Sequence, residues 1–169
     1  KTAAITLISV MALAACGRDR GAVPADSTLS GDPGAAACTV DPLLQAGMID
    51  AVNAARVGQG KTVLKVDDRL NAIAQSHDCD VAASGRASVI GSDGRGIVDR
   101  ARAVRYPTCG VAQLVSVGGS ASGAVGQWLA SVPHREQVLA QTPDEIGAGV
   151  ARGPDGLLRW SLVLGNDCR

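Results

Sequence analysis

The scarcity of aromatic residues constrains this chain more than any other feature. The sequence contains no Phe, one Tyr and two Trp among 169 residues. Hydrophobic residues nevertheless make up 46% of the chain, which is enough for a packed core and argues against a disordered chain. The core must therefore be built from Ala, Val, Leu and Ile, and the length suits one domain of ordinary size.

The charge balance argues against one class of partner. Lys and Arg together number 16, as do Asp and Glu, so the formal net charge is zero. Proteins that bind nucleic acids usually carry a basic stripe or aromatic side chains on which bases stack. This sequence has neither feature, and we expect no nucleic-acid partner.

The first 16 residues have the pattern of a secretory signal. A single Lys precedes a short apolar run that ends in Leu13-Ala14-Ala15-Cys16. The run is shorter than the roughly 20 apolar residues of a membrane span, and this arrangement is typical of a cleaved signal. Its last four residues resemble a bacterial lipobox. We expect a signal peptide at residues 1–15 and a lipid on Cys16; a chance cysteine or a buried helix is the alternative.

The segment after the signal indicates a tether. Residues 16–37 are rich in Gly, Pro, Ala, Ser and Asp and show no hydrophobic period, as flexible linkers do. Residue 17, directly after Cys16, is Gly. An aspartate at this position would resemble an inner-membrane retention signal. We therefore expect a domain at residues 38–169 that its lipid anchors to the cell envelope, with the outer membrane or the periplasmic face favoured.

Four cysteines remain if Cys16 carries a lipid. An even number in an exported chain indicates disulfides, and three pairings are open. We expect Cys38–Cys168, which would tie the ends of the domain together, and Cys79–Cys109, which would staple a helix to a later loop. A zinc site is the alternative, but the sequence has no C-x-x-C spacing.

Hydrophobic periodicity divides the domain into helices followed by a hairpin. Asp41 and Pro42 mark the start of a helix that ends near Gly58, and a second helix runs from Asp67 or Asp68 to Ser84. The other predicted elements are helices at residues 97–104, 120–131 and 134–140, a short strand at 111–117 and a hairpin at 145–151 and 157–164. This pattern predicts an α+β fold with helices packed on a small antiparallel sheet.

Four fragments of known type occur in order along the chain. They are Asn53-x-x-Arg56, then Leu70, Ala74, His77 and Asp80-Val81, then WLASVPHR at residues 128–135, and last EIGAG at residues 145–149 before a strand with Trp160. In addition, Arg100 precedes Tyr106 by six residues. Over about residues 40–166 they resemble the CAP (SCP) superfamily of cysteine-rich secretory, antigen 5 and pathogenesis-related proteins. The resemblance implies an α-β-α sandwich. It also implies a cleft that in many members holds two histidines and two acidic residues, sometimes around a divalent metal.

Most of the side chains that the resemblance assigns to this cleft are missing. The first histidine falls on Val89, the acidic residue of a Glu-Asn pair on Gln113, and the second acidic residue on Ser131. Only His134 remains. Because a zinc site commonly takes three or four imidazole, thiolate or carboxylate ligands, we expect neither a metal nor another cofactor.

Catalysis without a metal has little support in the sequence. Ser131 and His134 are three residues apart, but Pro133 lies between them, and no G-x-S-x-G elbow is present. We therefore assign no catalytic residue. We interpret the chain as a lipid-anchored envelope domain that acts as a binding or interaction module, with a small apolar molecule, a lipid, cell-wall material or a protein as its ligand. A hydrolase acting on envelope or extracellular substrates through the cleft near His134 is the alternative.

Two further features have ordinary structural explanations. His77 lies on the apolar face of the second predicted helix, which favours a buried histidine with a bonded nitrogen over a ligand. The glycine-rich run at residues 91–96 lacks the Lys-Ser/Thr of a phosphate-binding loop and predicts a plain loop.

Overall fold

The computed structural model describes residues 38–107 and 109–168. The signal peptide, Cys16 and the tether predicted for residues 1–37 lie outside these residues. The elements in chain order are α1 (Pro42–Gly58), β1 (Lys65–Val66), α2 (Asp68–Ser84), α3 (Ile97–Ala103), β2 (Gly110–Gly118), α4 (Ala121–Ala130), α5 (Val132–Val138), β3 (Glu145–Arg152) and β4 (Leu158–Asn166). Within the described residues, no helix has both the length and the apolar character of a membrane span.

The first two helices begin and end where the sequence supplies caps. Asp41 accepts hydrogen bonds from two backbone N–H groups in the first turn of α1, where Pro42 has no N–H to leave unpaired. Asp67 caps α2 in the same way. Gly85 ends α2 in the left-handed conformation, with φ at 70°. These boundaries confirm the predicted ones.

The four strands form one sheet in the order β1-β3-β4-β2. β3 and β4 are the arms of the predicted hairpin, and β2 pairs antiparallel with β4. At the other edge, β1 pairs parallel with β3 over two residues, which makes the sheet mixed rather than wholly antiparallel. A two-residue strand is too short to show an alternating pattern in the sequence.

Helices cover both faces of the sheet, and each face has its own apolar cluster. The α1–α4–α5 face holds the larger one, which includes Met48, Val52, Leu114, Trp128, Val138, Ile146, Trp160 and Leu162. The α2–α3 face holds a smaller one of Leu70, Ile73, Ala74, Ala101, Tyr106 and Val163. This layering confirms the α+β fold and the α-β-α sandwich, and aliphatic residues dominate both clusters, as the composition requires.

Two glycines of β3 allow α2 to lie close to the sheet. A Cβ atom at Gly147 or Gly149 would collide with the backbone of α2. At this short distance, the side-chain amides of Asn71 and Gln75 hydrogen bond to the backbone of β3 beyond the two residues that pair with β1. These two amides pair with backbone N–H and C=O groups of β3 that would stay unpaired at an uncovered edge of the sheet.

The predicted disulfide pairing is wrong, although two disulfides form. They join Cys38 to Cys79 and Cys109 to Cys168, with Cα–Cα distances of 5.6 and 5.3 Å. Cys109 directly precedes β2 and Cys168 closely follows β4, so the antiparallel register of these two strands brings the pair together. Cys38 precedes α1 and reaches Cys79 on α2. Spacing along the chain cannot show either approach, because both depend on how the elements pack.

Candidate functional site

Arg100 brings together two of the four candidate cleft residues, Val89 and Gln113. Its Nη2 donates to the backbone carbonyl of Val89 at 2.8 Å and to Oε1 of Gln113 at 2.5 Å. Its Nη1 donates to the backbone carbonyl of Arg95 at 2.7 Å. A guanidinium therefore binds to both positions at which the resemblance places a histidine and an acidic residue.

Gln113 is held at both ends of its amide. Oε1 accepts from Arg100, and Nε2 donates to Oγ of Ser161 on β4 at 2.6 Å. The residue is only 8% exposed. Its amide therefore acts as a bridge between α3 and the centre of the sheet, and its oxygen already receives a positively charged donor.

The other two candidates, Ser131 and His134, lie on the opposite side of the sheet. Ala112 and Leu114 on β2 pack in the cluster of the α1–α4–α5 face, so alternation along the strand turns Gln113 toward α2 and α3. Ser131 is the N-cap of α5 and His134 lies in its first turn, and α5 packs with the opposite cluster through Val138. The structure does not bring the four positions together into one cleft.

Neither Ser131 nor His134 is prepared for chemistry. Ser131 occupies the N-cap of α5, but its side chain makes no capping hydrogen bond. His134 is exposed, and within the described part of the chain its side chain makes no hydrogen bond or ion pair. A serine nucleophile needs a hydrogen-bonded base that a third group orients, and this pair has neither.

His77 is buried, as the apolar stripe of its helix predicts. It is 2% exposed, and its Nε2 lies 2.7 Å from the backbone carbonyl of Ser88. Burial and the nearby guanidinium of Arg100 lower the pKa of His77. The ring is therefore neutral at pH 7, and its Nε2–H donates to the carbonyl, which cannot itself donate.

Asp78 is a buried carboxyl group beside His77 on α2. It is 0% exposed, and the nearby backbone N–H of Ser161 does not reach full hydrogen-bond geometry with either carboxyl oxygen. Burial raises the pKa of Asp78 well above its ordinary value, which the backbone N–H of Ser161 only partly opposes. The carboxyl therefore stays protonated to a higher pH than an exposed aspartic acid does.

Side chains of α2 and α3 fasten the loop at residues 88–96. Asp80 accepts from the backbone N–H of Ser92 at 2.8 Å and also from the hydroxyl of Ser92. His77 and Arg100 donate to further backbone carbonyls of the loop. The glycine-rich run is a plain loop, as predicted, and side chains rather than a neighbouring strand hold it in place.

The Asn53-x-x-Arg56 fragment has a structural role. The side chain of Asn53 donates to the backbone carbonyl of Leu64 and accepts from the backbone N–H of Leu64, in the link after α1. Arg56 is fully buried and donates to the carbonyls of Thr62, Val138 and Ala140. Burial lowers the pKa of Arg56. The fragment therefore ties α1 to the end of α5 and contributes no reactive group.

The comparison with protein families agrees with this architecture. The model described as "CAP: Cysteine-rich secretory protein family" matches residues 49–164. The chain belongs to the CAP family. The matched range of this CAP domain runs from α1 into β4 and includes both faces of the sheet. No curated protein sequence matches the chain.

Solved structures with the CAP fold include three bacterial proteins. An outer surface protein from Borrelia burgdorferi has a TM-score of 0.63 and 17% identity, over 71% of this chain and 90% of its own. An extracellular SCP-domain protein from Bacillus anthracis has a TM-score of 0.61 and 18% identity, over 73% of this chain and 41% of its own. A cysteine-rich secretory protein from Staphylococcus aureus has a TM-score of 0.60 and 21% identity, over 74% of this chain and 39% of its own. The chain thus spans less than half of the latter two proteins, and these likenesses establish the fold.

The cleft positions of this CAP domain do not fit the metal that some family members bind. Arg100 occupies both the oxygen of Gln113 and the carbonyl of Val89, and its positive charge repels a second cation. His134 lies on the other side of the sheet. Among residues 38–107 and 109–168, no three His, Cys, Asp or Glu side chains form a group that could hold a metal ion.

Sequence reasoning missed the contacts of Arg100 and the burial of Asp78 on this side of the CAP domain. Arg100 enters the sequence argument only through its distance from Tyr106, and nothing in the pattern shows that it reaches Gln113. Asp78 carries a usable signal, because it lies four residues after Ala74 on the apolar stripe of α2. A carboxyl group at that helical position must be buried with the stripe.

Proposed function

We propose that this CAP domain is an interaction module of the cell envelope. A lipid on Cys16 holds it there, and it binds a small apolar or cell-wall ligand instead of catalysing a metal-dependent reaction. One observation carries the proposal: the guanidinium of Arg100 is bonded to Val89 and Gln113, where related proteins would place ligands for a cation.

A guanidinium and a metal ion support different chemistry. A bound metal activates water or polarises a carbonyl through an open coordination position. A guanidinium is permanently charged and has no such position, and the terminal nitrogens of Arg100 already donate to the loop and to Gln113. The exposed side chains around it include the apolar Val89, Ile90 and Val98 and also the charged Asp93, Arg95 and Asp99. This arrangement favours binding over reaction.

A hydrolase acting near His134 has less support. Its nucleophile would be Ser131, whose hydroxyl has no base bonded to it among the described residues. His134 would be the base, but it is exposed and no described group orients its ring. No observation on α5 favours this alternative.

Three observations support a location outside the cytoplasm. The first 16 residues have the pattern of a lipoprotein signal. The domain carries two disulfides, which persist mainly in oxidising compartments. The family is described as secretory, and the proteins of similar fold include an outer surface protein and an extracellular protein.

Cosedimentation tests the binding role. The full chain with Cys16→Ser, which removes the proposed anchor and changes no described residue, is mixed with isolated cell-wall sacculi and with vesicles of envelope lipids. We expect saturable binding to one of these materials, unchanged by a chelator and by His134→Ala. Ester or peptide hydrolysis that His134→Ala abolishes would support the hydrolase instead, and binding to neither material would contradict the proposal.

Fractionation of cells tests the anchor separately. We expect the unaltered chain in the membrane fraction and the Cys16→Ser chain in the soluble fraction. Ser27→Ala, which changes another side chain of the predicted tether, is the control and should stay with the membrane. Membrane association that survives Cys16→Ser would show that no lipid on this cysteine is needed.

A further inference from the structure

A half-open apolar pocket lies where β2 begins and β4 ends. Its volume is about 190 Å³, and its lining includes Val111 and Ala112 of β2, Leu164 of β4, Gln137 of α5, and Ala140 and Pro143 of the α5–β3 loop. The lining includes none of the four candidate cleft residues. The pocket is therefore a second feature of the domain, separate from the contacts of Arg100.

Three contacts hold the walls of this pocket in place. Arg56 is fully buried, and its Nη1 donates to the carbonyl of Ala140 at 2.8 Å. Asn166 donates from Nδ2 to a carbonyl of the α5–β3 loop at 2.7 Å. The Cys109–Cys168 disulfide joins the chain on either side of the same strand ends. Protein interiors normally fill an apolar hollow by close packing, and these contacts oppose such a collapse.

The lining selects the chemistry of the occupant. No lining side chain is ionisable, so an ionised group would lose part of its hydration there without gaining a charged partner. The amide of Gln137 makes no hydrogen bond within the described residues, and it is available to a hydroxyl or a carbonyl. An engineered apolar cavity of about 150 Å³ in another protein binds benzene. This pocket therefore has room for one ring and too little for a long acyl chain.

We propose that this pocket binds one compact, uncharged apolar group of the size of a benzene ring, carried by a ligand whose hydroxyl or carbonyl pairs with Gln137. The inference deepens the proposed function, since it assigns the apolar ligand a place. It locates that ligand on the α5 side of the domain and away from Arg100.

Benzyl alcohol is the probe for this site, and benzoate, its charged counterpart, is the ligand control. We expect saturable NMR shifts of the methyl groups of Val111, Ala112 and Leu164 when benzyl alcohol is added to the full chain. Benzoate should produce none. Shifts that do not saturate, or equal shifts with benzoate, would overturn the proposal.

Filling the pocket tests its location. Ala112→Leu places a larger side chain in the lining and should weaken benzyl alcohol binding at least tenfold. Ala46→Leu makes the same change at an exposed position of α1 and should leave binding unchanged. If Ala112→Leu does not fold, Thr142→Leu, at an exposed position of the lining, replaces it. Unaltered affinity in the folded variant would overturn the proposal.

The two proposals fail in different ways. If the chain binds benzyl alcohol as described but neither sacculi nor vesicles, the pocket stands and the proposed function is wrong. If it binds envelope material but not benzyl alcohol, only the pocket is wrong.

Discussion

The two faces of the sheet are built from different chemistry. The α1–α4–α5 face buries large apolar side chains such as Trp160 and Leu162, and the one buried charge described there, Arg56, donates mainly to backbone carbonyls. The α2–α3 face buries polar side chains, including His77 and Asp78. The main apolar cluster and the contacts that fasten the loop at residues 88–96 therefore lie on separate sides of the molecule. Substitutions on one face of the sheet should therefore have a limited effect on the other face.

The largest expected effect comes from the apolar face. Trp160→Ala should lower the free energy of unfolding by about 3–5 kcal/mol, because it leaves a large cavity in the main cluster. Urea unfolding followed by circular dichroism measures the loss. Trp160→Phe keeps a ring and should cost less. A loss below about 1 kcal/mol for the Ala variant would show that this cluster is not the main source of stability.

The disulfide between α2 and the N-terminal end of the domain should have the next largest effect. Replacing Cys38 and Cys79 together by Ser should cost about 2–4 kcal/mol of unfolding free energy. The matched variant replaces Cys109 and Cys168 together. Peptide mapping without reduction checks the pairing itself, and a fragment that links Cys38 to Cys168 would contradict the structure.

Asp78→Asn should change how stability depends on pH. The pKa of Asp78 is raised in the folded state, so the stability it contributes is complete below the unfolded pKa of about 3.9 and is lost as pH rises toward the folded value. Urea midpoints measured upward from pH 3 should therefore fall less steeply in the Asn variant. Asp50→Asn, at an exposed position of α1, is the control. Identical slopes for Asp78→Asn and the unaltered chain would contradict a protonated, buried carboxyl.

Arg100→Lys should have the smallest effect on overall stability and a clear local one. It keeps the charge but loses the planar set of donors that reaches Val89 and Gln113 together. We expect unfolding free energy to change by about 1 kcal/mol or less, with amide hydrogen exchange at residues 88–96 at least tenfold faster. Arg102→Lys, exposed on the same helix, should leave exchange unchanged. Unchanged exchange in Arg100→Lys would mean that other contacts fasten the loop.

Much of the fold follows from local signals in the sequence. Asp41, Asp67 and Gly85 set helix ends through caps that involve only neighbouring residues, and the Gly-Pro-Asp-Gly turn sets the hairpin. The candidate site depends on non-local packing and could not be predicted in the same way. Which face of the sheet Gln113 turns to, and whether Arg100 reaches it, follow from strand order and from the position of α3. The disulfide pairing failed for the same reason.

Isothermal titration of the full chain with Zn²⁺ tests whether Arg100 takes the place of a cation at the positions of Val89 and Gln113. We expect no stoichiometric binding at neutral pH, and no binding that depends on His134 or Gln113. One zinc ion per chain that is lost in His134→Ala or Gln113→Ala would contradict it.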